Sequence, residues 1–293
     1  MIESEKFEVD VETLRQLVKL QATMYDPMGI LVPFILLGRK IIQMAMQGKW
    51  GWDTRLSQSV IDMAIKWLRS IKNLKAISVP RPLDNEDTVD MPEELHVFSD
   101  ASLGGYGVVM YRRVMGRSGA VRVTFLGGKS HVVPLNPSRA SHHNSIPRLE
   151  LVAATKAAEM AMAMEKSLKR KFGKRRFHVD SECVLGQIED EKTNHKAFVG
   201  NRLSKIRKIA RPSEFRYVDS KNNPADLCSR GIQAHETEKW KFYLEGPEFL
   251  KKREECWPKR PVPDKARVSA LTQESRCQEE QEEQESAGAS TSR

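Results

Sequence analysis

The chain has 293 residues, 30% charged and 40% hydrophobic, with a formal net charge of +9 and a pI near 9.3. This length allows one sizeable core and a second unit, and the excess of basic residues favours an anionic partner, above all nucleic acid. The four cysteines lie far apart without a Cys-x-x-Cys spacing, so neither a disulfide framework nor a zinc knuckle is indicated.

Residues 268–293 are acidic, with net charge −4, which leaves +13 for the preceding residues. The first ten residues lack an apolar targeting core, and the longest apolar run, residues 30–37, is far shorter than the roughly 20 residues of a membrane span. We therefore expect a soluble, unsecreted protein of the cytoplasm or nucleus that does not act at a membrane.

The N-terminal part, residues 1–80, has apolar residues at helical spacing and is predicted to form three helices. Turns are predicted at residues 25–29 (YDPMG) and 50–53 (WGWD). Residues 81–92 are rich in proline and acidic residues and are predicted to be a linker with little capacity to pack.

The pattern then changes to strands. Residues 95–100, 106–111 and 121–126 are predicted to be three consecutive antiparallel strands, because they are β-branched and aromatic and are separated by glycines. Pro147 marks the start of a long helix, about residues 149–164.

Strands at 177–180 and 215–218 then alternate with helices at 183–188, 198–209 and from about 224. The order β-β-β-α-β-α-α-β-α predicts an α/β fold in which a mixed five-stranded sheet is flanked by helices. Aromatic residues in 236–262 predict an extension that packs back on this domain, which spans 93–235. Residues 263–293 are predicted to be a disordered tail.

Four acidic residues lie in separate short motifs. Asp100 and Asp180 each end a predicted strand, so parallel neighbouring strands would bring both carboxylates to one crevice. Glu150 lies in the first turn of the long helix, and Asp226 follows a loop. Their order and settings predict a two-metal nuclease. Asp219 repeats the Val-Asp-Ser motif of Asp180 but runs into a polar turn, so Asp180 is the preferred candidate.

Hydrolysis of a phosphodiester needs an activated water and a stabilised leaving oxygen, and two divalent ions supply both. Carboxylates suit Mg²⁺ better than His or Cys would, so two Mg²⁺ ions are predicted, with Mn²⁺ as a substitute.

Basic residues are clustered in residues 166–176 and 196–211. The second cluster is helical, and Arg202, Lys205 and Lys208 within it are predicted to track phosphates. Polar residues beside the acids are candidates to orient carboxylates or substrate, although such residues near turns are more often caps. These are Ser102, Ser181 and Asn223.

Several of these motifs resemble the ribonuclease H region of the BEL/Pao retrotransposon Pol polyprotein. The matching motifs are residues 98–102 (FSDAS), 146–151 (IPRLEL), 198–202 (FVGNR) and 223–231 (NPADLCSRG). The motifs at residues 25–29 and 50–53 resemble the segment that connects reverse transcriptase to ribonuclease H. The resemblance covers about residues 11–258.

The resemblance implies a ribonuclease H-like fold and cleavage of the RNA strand of RNA:DNA hybrids. It also implies that Asp100 bridges both ions, that Glu150 and Asp180 share one, and that Asp226 completes the other. Cellular ribonucleases H usually carry a histidine in the loop before the last Asp. Here residues 220–223 fill that loop without one, which implies a lower rate.

No Tyr-x-Asp-Asp, Asp-Thr-Gly or Asp-Ser-Gly word occurs, so neither a polymerase nor an aspartic peptidase is expected. The chain is expected to be a fragment or domesticated remnant, with the reverse transcriptase of a polyprotein as a further possible partner. Two other functions stay open: a catalytically idle nucleic-acid-binding remnant, and a protein-interaction module built on the N-terminal helices.

Overall fold

A computed structural model describes residues 11–48, 51–77, 79, 83–134, 145–193 and 195–261. Within these ranges the elements follow the predicted order. The helices are α1 (Leu14–Ala22), α2 (Val32–Gln47), α3 (Gln58–Ser70), α4 (Ile146–Leu168), α5 (Glu182–Glu189), α6 (Ala197–Ile209), α7 (Ala225–Arg230) and α8 (Thr237–Glu245). The strands are β1 (Glu93–Ser102), β2 (Gly105–Met115), β3 (Val121–Val132), β4 (Lys174–Val179) and β5 (Phe215–Tyr217).

The five strands form one mixed sheet in the order β3-β2-β1-β4-β5. β1 pairs antiparallel with β2, and β2 with β3, whereas β1 and β5 each run parallel to β4. Ser99 of β1 is in register with Val179 of β4, so the residues that follow them emerge at the same edge of the sheet. The predicted fold class is confirmed, and the crevice predicted at this edge stays a prediction.

Alternation along the central strands divides the core between the two faces of the sheet. Val97 and Phe177 face α4, α5 and α6. The buried alanines of α4, which include Ala154 and Ala158, carry small side chains where the helix packs on the sheet. Phe98 lies in the second core, which also holds apolar residues of α1, α2, α3 and α8.

The N-terminal helices therefore share a core with the sheet domain. Gly29 lies against β3, and a Cβ at this position would be 2.0 Å from the carbonyl oxygen of Gly128. The amide of Gly128 donates to the carbonyl of Met28 (3.1 Å), and the Tyr243 hydroxyl donates to the carbonyl of Gly29 (2.6 Å). The turn at residues 25–29 is thus a close backbone contact between the two parts of the chain.

The prediction that residues 81–92 pack little is wrong for the described part, residues 83–92. Thr88 is buried, and the carboxylate of Asp84 binds Arg112 (2.5 Å) and Arg170 (2.9 Å). Arg112 is itself 1% exposed and also binds Glu93 (3.1 Å). Asp84, one of the acids that made this segment look like a linker, is thus the partner of arginines on β2 and after α4.

The C-terminal extension packs on the domain as predicted, with Trp240, Tyr243, Phe249 and Trp257 buried. The predicted disordered tail at 263–293 and the first ten residues lie outside the described residues. In the part of the chain that is described, no helix is both long and apolar enough to cross a membrane.

Candidate active site

Asp100 is the central acid of the site. It lies in β1, two residues before the strand ends, and is 6% exposed beneath α7, where the Ser229 hydroxyl donates a hydrogen bond to its carboxylate. Burial, and then the negative charges of Asp180, Asp226 and Glu150, raises the pKa of Asp100 to about 7, while the bond from Ser229 opposes this. The other three predicted acids therefore all act electrostatically on Asp100.

Asp180 follows the last residue of β4. Its Oδ2 accepts a hydrogen bond from the Ser220 hydroxyl (3.2 Å). Its Oδ1 is buried and has no hydrogen-bond partner among the described residues. Burial is the main cause that raises the pKa of Asp180, and the charge of Asp226 adds to it.

Glu150 enters the site from the start of the second turn of α4. The helix begins after Ser145 with Pro147 in its first turn, which a preset φ favours. Burial and the charge of Asp180 raise the pKa of Glu150 to about 7, against a hydrogen bond from Ser181. The prediction that this acid lies in the first helical turn is wrong, because α4 begins at Ile146 and Glu150 is its fifth residue.

Asp226 lies in the first turn of α7 and is more accessible than Asp100, with 27% of its side chain exposed. Its Oδ1 pairs with the Nε of Arg230 one turn later (2.5 Å). The Asn223 side chain donates to the carbonyl of Ser99 (3.1 Å), which holds the loop before α7 against β1.

The alternative acid, Asp219, accepts a hydrogen bond from the Asn222 side chain (2.8 Å). It is not among the charges that raise the pKa of Asp100, Glu150 or Asp180. The arrangement therefore favours Asp180 over Asp219, as the helix pattern after Asp180 predicts.

The donor set fits a hard divalent ion. Burial and neighbouring carboxylates raise the pKa values of Asp100, Glu150 and Asp180, and the buried Oδ1 of Asp180 lacks a partner that a cation would supply. Among the described residues, however, no three acidic, His or Cys side chains are close enough to form a ready-made metal cluster. Ion binding would thus need the carboxylates to draw together.

The polar residues predicted beside the acids have structural hydrogen bonds. Ser102 donates to the carbonyls of Gly105 (3.2 Å) and Ser229 (3.1 Å). Ser181 accepts from the amide of Val184 (3.3 Å) as the cap of α5, and Asn223 is 1% exposed. Contacts of these side chains with nucleic acid stay predictions.

The predicted phosphate-binding residues Arg202, Lys205 and Lys208 line an open groove of about 520 Å³ between α4 and α6. The guanidinium of Arg202 lies over the ring of Phe198, 3.4 Å from its centroid. Lys205 is 3.8 Å from Glu159, the acid of this groove. The three cations thus share one surface, although their role stays a prediction.

Sequence reasoning missed three residues that contact the acids, namely Ser229, Ser220 and Arg230. Ser229 and Arg230 lie three and four residues after Asp226, spacings that place side chains on one face of a helix. This spacing could have identified both residues from the sequence. Ser220 had no such signal, because only the fold brings its loop to Asp180.

A mixed five-stranded sheet with acids at the end of the first and fourth strands, flanked by helices, defines a ribonuclease H-like protein. Residues 13–181, more than half of the chain, match the family described as Pao retrotransposon-like RNaseH-like domain. The chain belongs to that family. The match ends after Asp180, so Asp226 and the C-terminal extension lie beyond it.

Solved structures of ribonucleases H resemble the chain at low identity. The N-terminal RNase H domain of a Mycobacterium tuberculosis protein, solved as a fusion with maltose-binding protein, is 13% identical, with 50% of this chain and 96% of that chain covered and a TM-score of 0.32. RNase H1 of Halobacterium salinarum is 11% identical, with 46% and 90% covered and a TM-score of 0.27.

The foamy viral protease-reverse transcriptase in complex with dsDNA is 13% identical, with 71% of this chain and 40% of that chain covered and a TM-score of 0.28. No protein with a curated description matches the chain.

Proposed function

We propose that this protein is a Mg²⁺-dependent endonuclease that hydrolyses the RNA strand of RNA:DNA hybrids and leaves 5′-phosphate and 3′-hydroxyl ends. One observation carries the proposal. Asp100, near the end of the central strand, is buried, and this burial together with the charges of the other three acids raises its pKa to about 7. Acidic side chains that lie close together, although burial and mutual repulsion disfavour their charged forms, are typical of a functional site.

Asp100 would hold both ions, Glu150 and Asp180 one of them, and Asp226 the other. When bound, the ions would supply an activated water and stabilise the leaving oxygen. The hydroxyls of Ser229 and Ser220 orient the carboxylates of Asp100 and Asp180. They fix one oxygen of each acid before any ion arrives.

Substrate binding is assigned to the basic groove between α4 and α6. Arg202, Lys205 and Lys208 can neutralise phosphates of one strand, and α4 carries both this groove and Glu150. A hybrid presents 2′-hydroxyls on one strand only, in an A-like minor groove, so the protein can distinguish the RNA strand from the DNA strand.

A catalytically idle nucleic-acid-binding remnant is the second candidate function. Two observations favour it. Arg230 already pairs with Asp226, and the described residues contain no ready-made group of three ligands. In that case the groove would bind hybrid while the acids turned over no substrate. The N-terminal helices pack their apolar residues against the sheet domain, which does not favour a separate interaction module.

The test is cleavage of a hybrid with a labelled RNA strand in Mg²⁺, by the full chain and by its Asp100→Asn and Asp180→Asn variants. Asp219→Asn is the matched control, since it removes the same charge from the same Val-Asp-Ser motif. Cleavage by the wild type and the control, lost in both other variants, supports the nuclease. Equal, negligible cleavage by all four proteins with binding retained would overturn it.

A further inference from the structure

A second cavity, of about 320 Å³, lies between β4, β5, α5 and the C-terminal extension. Its walls include His178 of β4, Phe249 and Trp257 of the extension, and Arg216 beside β4 on β5. None of the four acids lines it. Its volume lies at the lower end of the range of small-ligand sites.

A chain of three side chains leads into this cavity. The Nε2 of His96 is 3.3 Å from a carboxylate oxygen of Glu94, and the Nδ1 of His96 is 3.0 Å from the Nε2 of His178. A carboxylate only accepts, so the Nε2 of His96 carries the proton. Both rings are fully buried near arginines, and this burial lowers the pKa of each, so both are neutral.

The order of protons along the chain follows from these contacts. A neutral His96 that donates from Nε2 must accept at Nδ1, so His178 donates from its Nε2. The Nδ1 of His178 is then an acceptor. This atom is buried and has no hydrogen-bond partner among the described residues, and His178 is 1% exposed. A ligand in the cavity can satisfy it with an N–H group once the side chains that cover this atom shift to admit the donor.

The other walls define the rest of the ligand. Phe249 and Trp257 are buried aromatic rings that suit a planar group. The cavity also has three cationic and two acidic side chains, and both acids are paired: Glu189 with Arg260 (2.9 Å) and Glu254 with Arg176 (3.1 Å). The other two cations of the cavity, Arg216 and Lys259, are paired with neither of these acids. Their positive charges suit an anionic group of a ligand.

We propose that this cavity is a nucleotide-binding site, in which a base N–H donates to the Nδ1 of His178 and the phosphate binds Arg216 and Lys259. A base is planar and carries N–H donors, and its phosphate supplies the negative charge. The proposal goes beyond the proposed nuclease and does not depend on turnover. The nucleotide has two possible sources, a free mononucleotide or the end of a strand.

The first measurement is calorimetric titration of the full chain with AMP in EDTA, so that ions cannot hold the nucleotide at the four acids. Inorganic phosphate and a 5′-phosphorylated trinucleotide are titrated in parallel. Saturable AMP binding with weaker phosphate binding is expected. Tighter binding of the trinucleotide would assign the site to a strand end, and tighter binding of AMP to free nucleotide.

Two variants and a control locate the binding. His178→Phe keeps an aromatic ring but removes the acceptor, and Arg216→Gln removes a cation at the edge of the cavity. Each is expected to weaken AMP binding about fivefold to tenfold, as loss of a hydrogen bond or a charge contact does. Lys66→Gln, an equal loss of charge on α3, is expected to have no effect.

Three results would overturn the proposal. One is no saturable AMP binding below about 5 mM, an affinity too weak to count as a specific site. The second is equal binding of phosphate and AMP. The third is unchanged AMP binding in the folded Arg216→Gln variant, which tests the site even where His178→Phe fails to fold. The Asp100→Asn variant, inactive by the proposed function, is expected to bind AMP normally.

Discussion

The burial of Asp100 among other acids should lower the free energy of unfolding of the metal-free protein. Replacing Asp100 with Asn removes a carboxyl group whose pKa is raised from 3.8 to about 7. The amide oxygen of Asn can still accept the hydrogen bond from Ser229. At about 1.4 kcal/mol per pH unit the raised pKa corresponds to about 4 kcal/mol. Because Asp180 and Glu150 can take up protons and relieve part of the repulsion, we expect a gain of about 2 to 4 kcal/mol in metal-free protein at pH 8.

The sign of the pH dependence follows from the direction of the shift. The unfolded chain loses the Asp100 proton near pH 4 and the folded chain near pH 7, so the wild type loses this part of its stability as pH rises between these values. The advantage of Asp100→Asn should therefore be complete above about pH 7 and vanish toward pH 4.

The assay is urea and thermal unfolding in EDTA from pH 4 to pH 8. We expect the melting temperature of Asp100→Asn to exceed that of the wild type by about 5 to 15 °C at pH 8. The control Asp219→Asn should stay within about 0.5 kcal/mol of the wild type. Parallel pH profiles for the wild type and Asp100→Asn, or a less stable Asp100→Asn at pH 8, would refute the reasoning.

Three further predictions concern the surroundings of the site. Lys40 of α2 donates to the carbonyls of Ser229 (3.3 Å) and Arg230 (3.0 Å), so Lys40→Met should raise the half-saturating Mg²⁺ concentration for cleavage several-fold. Lys40→Arg should restore it, and an unchanged Mg²⁺ titration would contradict this role. Replacing both Lys205 and Lys208 with Gln should reduce the slope of log affinity against log salt by about 1 to 2, measured with hybrid and the inactive Asp100→Asn protein; an unchanged slope would place binding elsewhere. Gly29→Ala should cost more than about 1 kcal/mol in urea unfolding, because φ is 76° and Gly128 leaves no room for a Cβ; a cost below about 0.5 kcal/mol would show that the turn can move.

Most of the fold follows from local patterns. The strand and helix periods predict the five strands and the helices α1 to α7 in the right order, because each element carries a continuous apolar face or a clear start signal, whereas α8 was predicted only as part of an aromatic extension. Pro147, for example, fixes the beginning of α4 and so the position of Glu150. Asp100 and Asp180 are predictable together for the same reason, since each ends an apolar strand and parallel strands end at one edge.

The residues that support these acids depend on tertiary contacts and were not predictable. Asp84 appears in the sequence as one of several acids in a proline-rich segment, and only the fold shows that Arg112 and Arg170 neutralise it. His96 and His178 are 82 positions apart, and their pairing follows from the register of β1 and β4. Local sequence carries no signal for such contacts because the partners come from distant segments.

The packing of α7 links the N-terminal helices to the predicted chemistry. This helix has only six residues, too few to be stable alone, and carries Asp226 together with Ser229, which binds Asp100. Lys40 of α2 binds its last carbonyls, and the amide of Ile232 just after it donates to the carbonyl of Pro33 (3.3 Å). The boundary predicted near residue 80 therefore marks a change of sequence pattern. It does not separate two folding units. If the acids act as proposed, α2 is part of the structure that positions them, and removal of residues 11–77 would release α7 as well as expose the shared core.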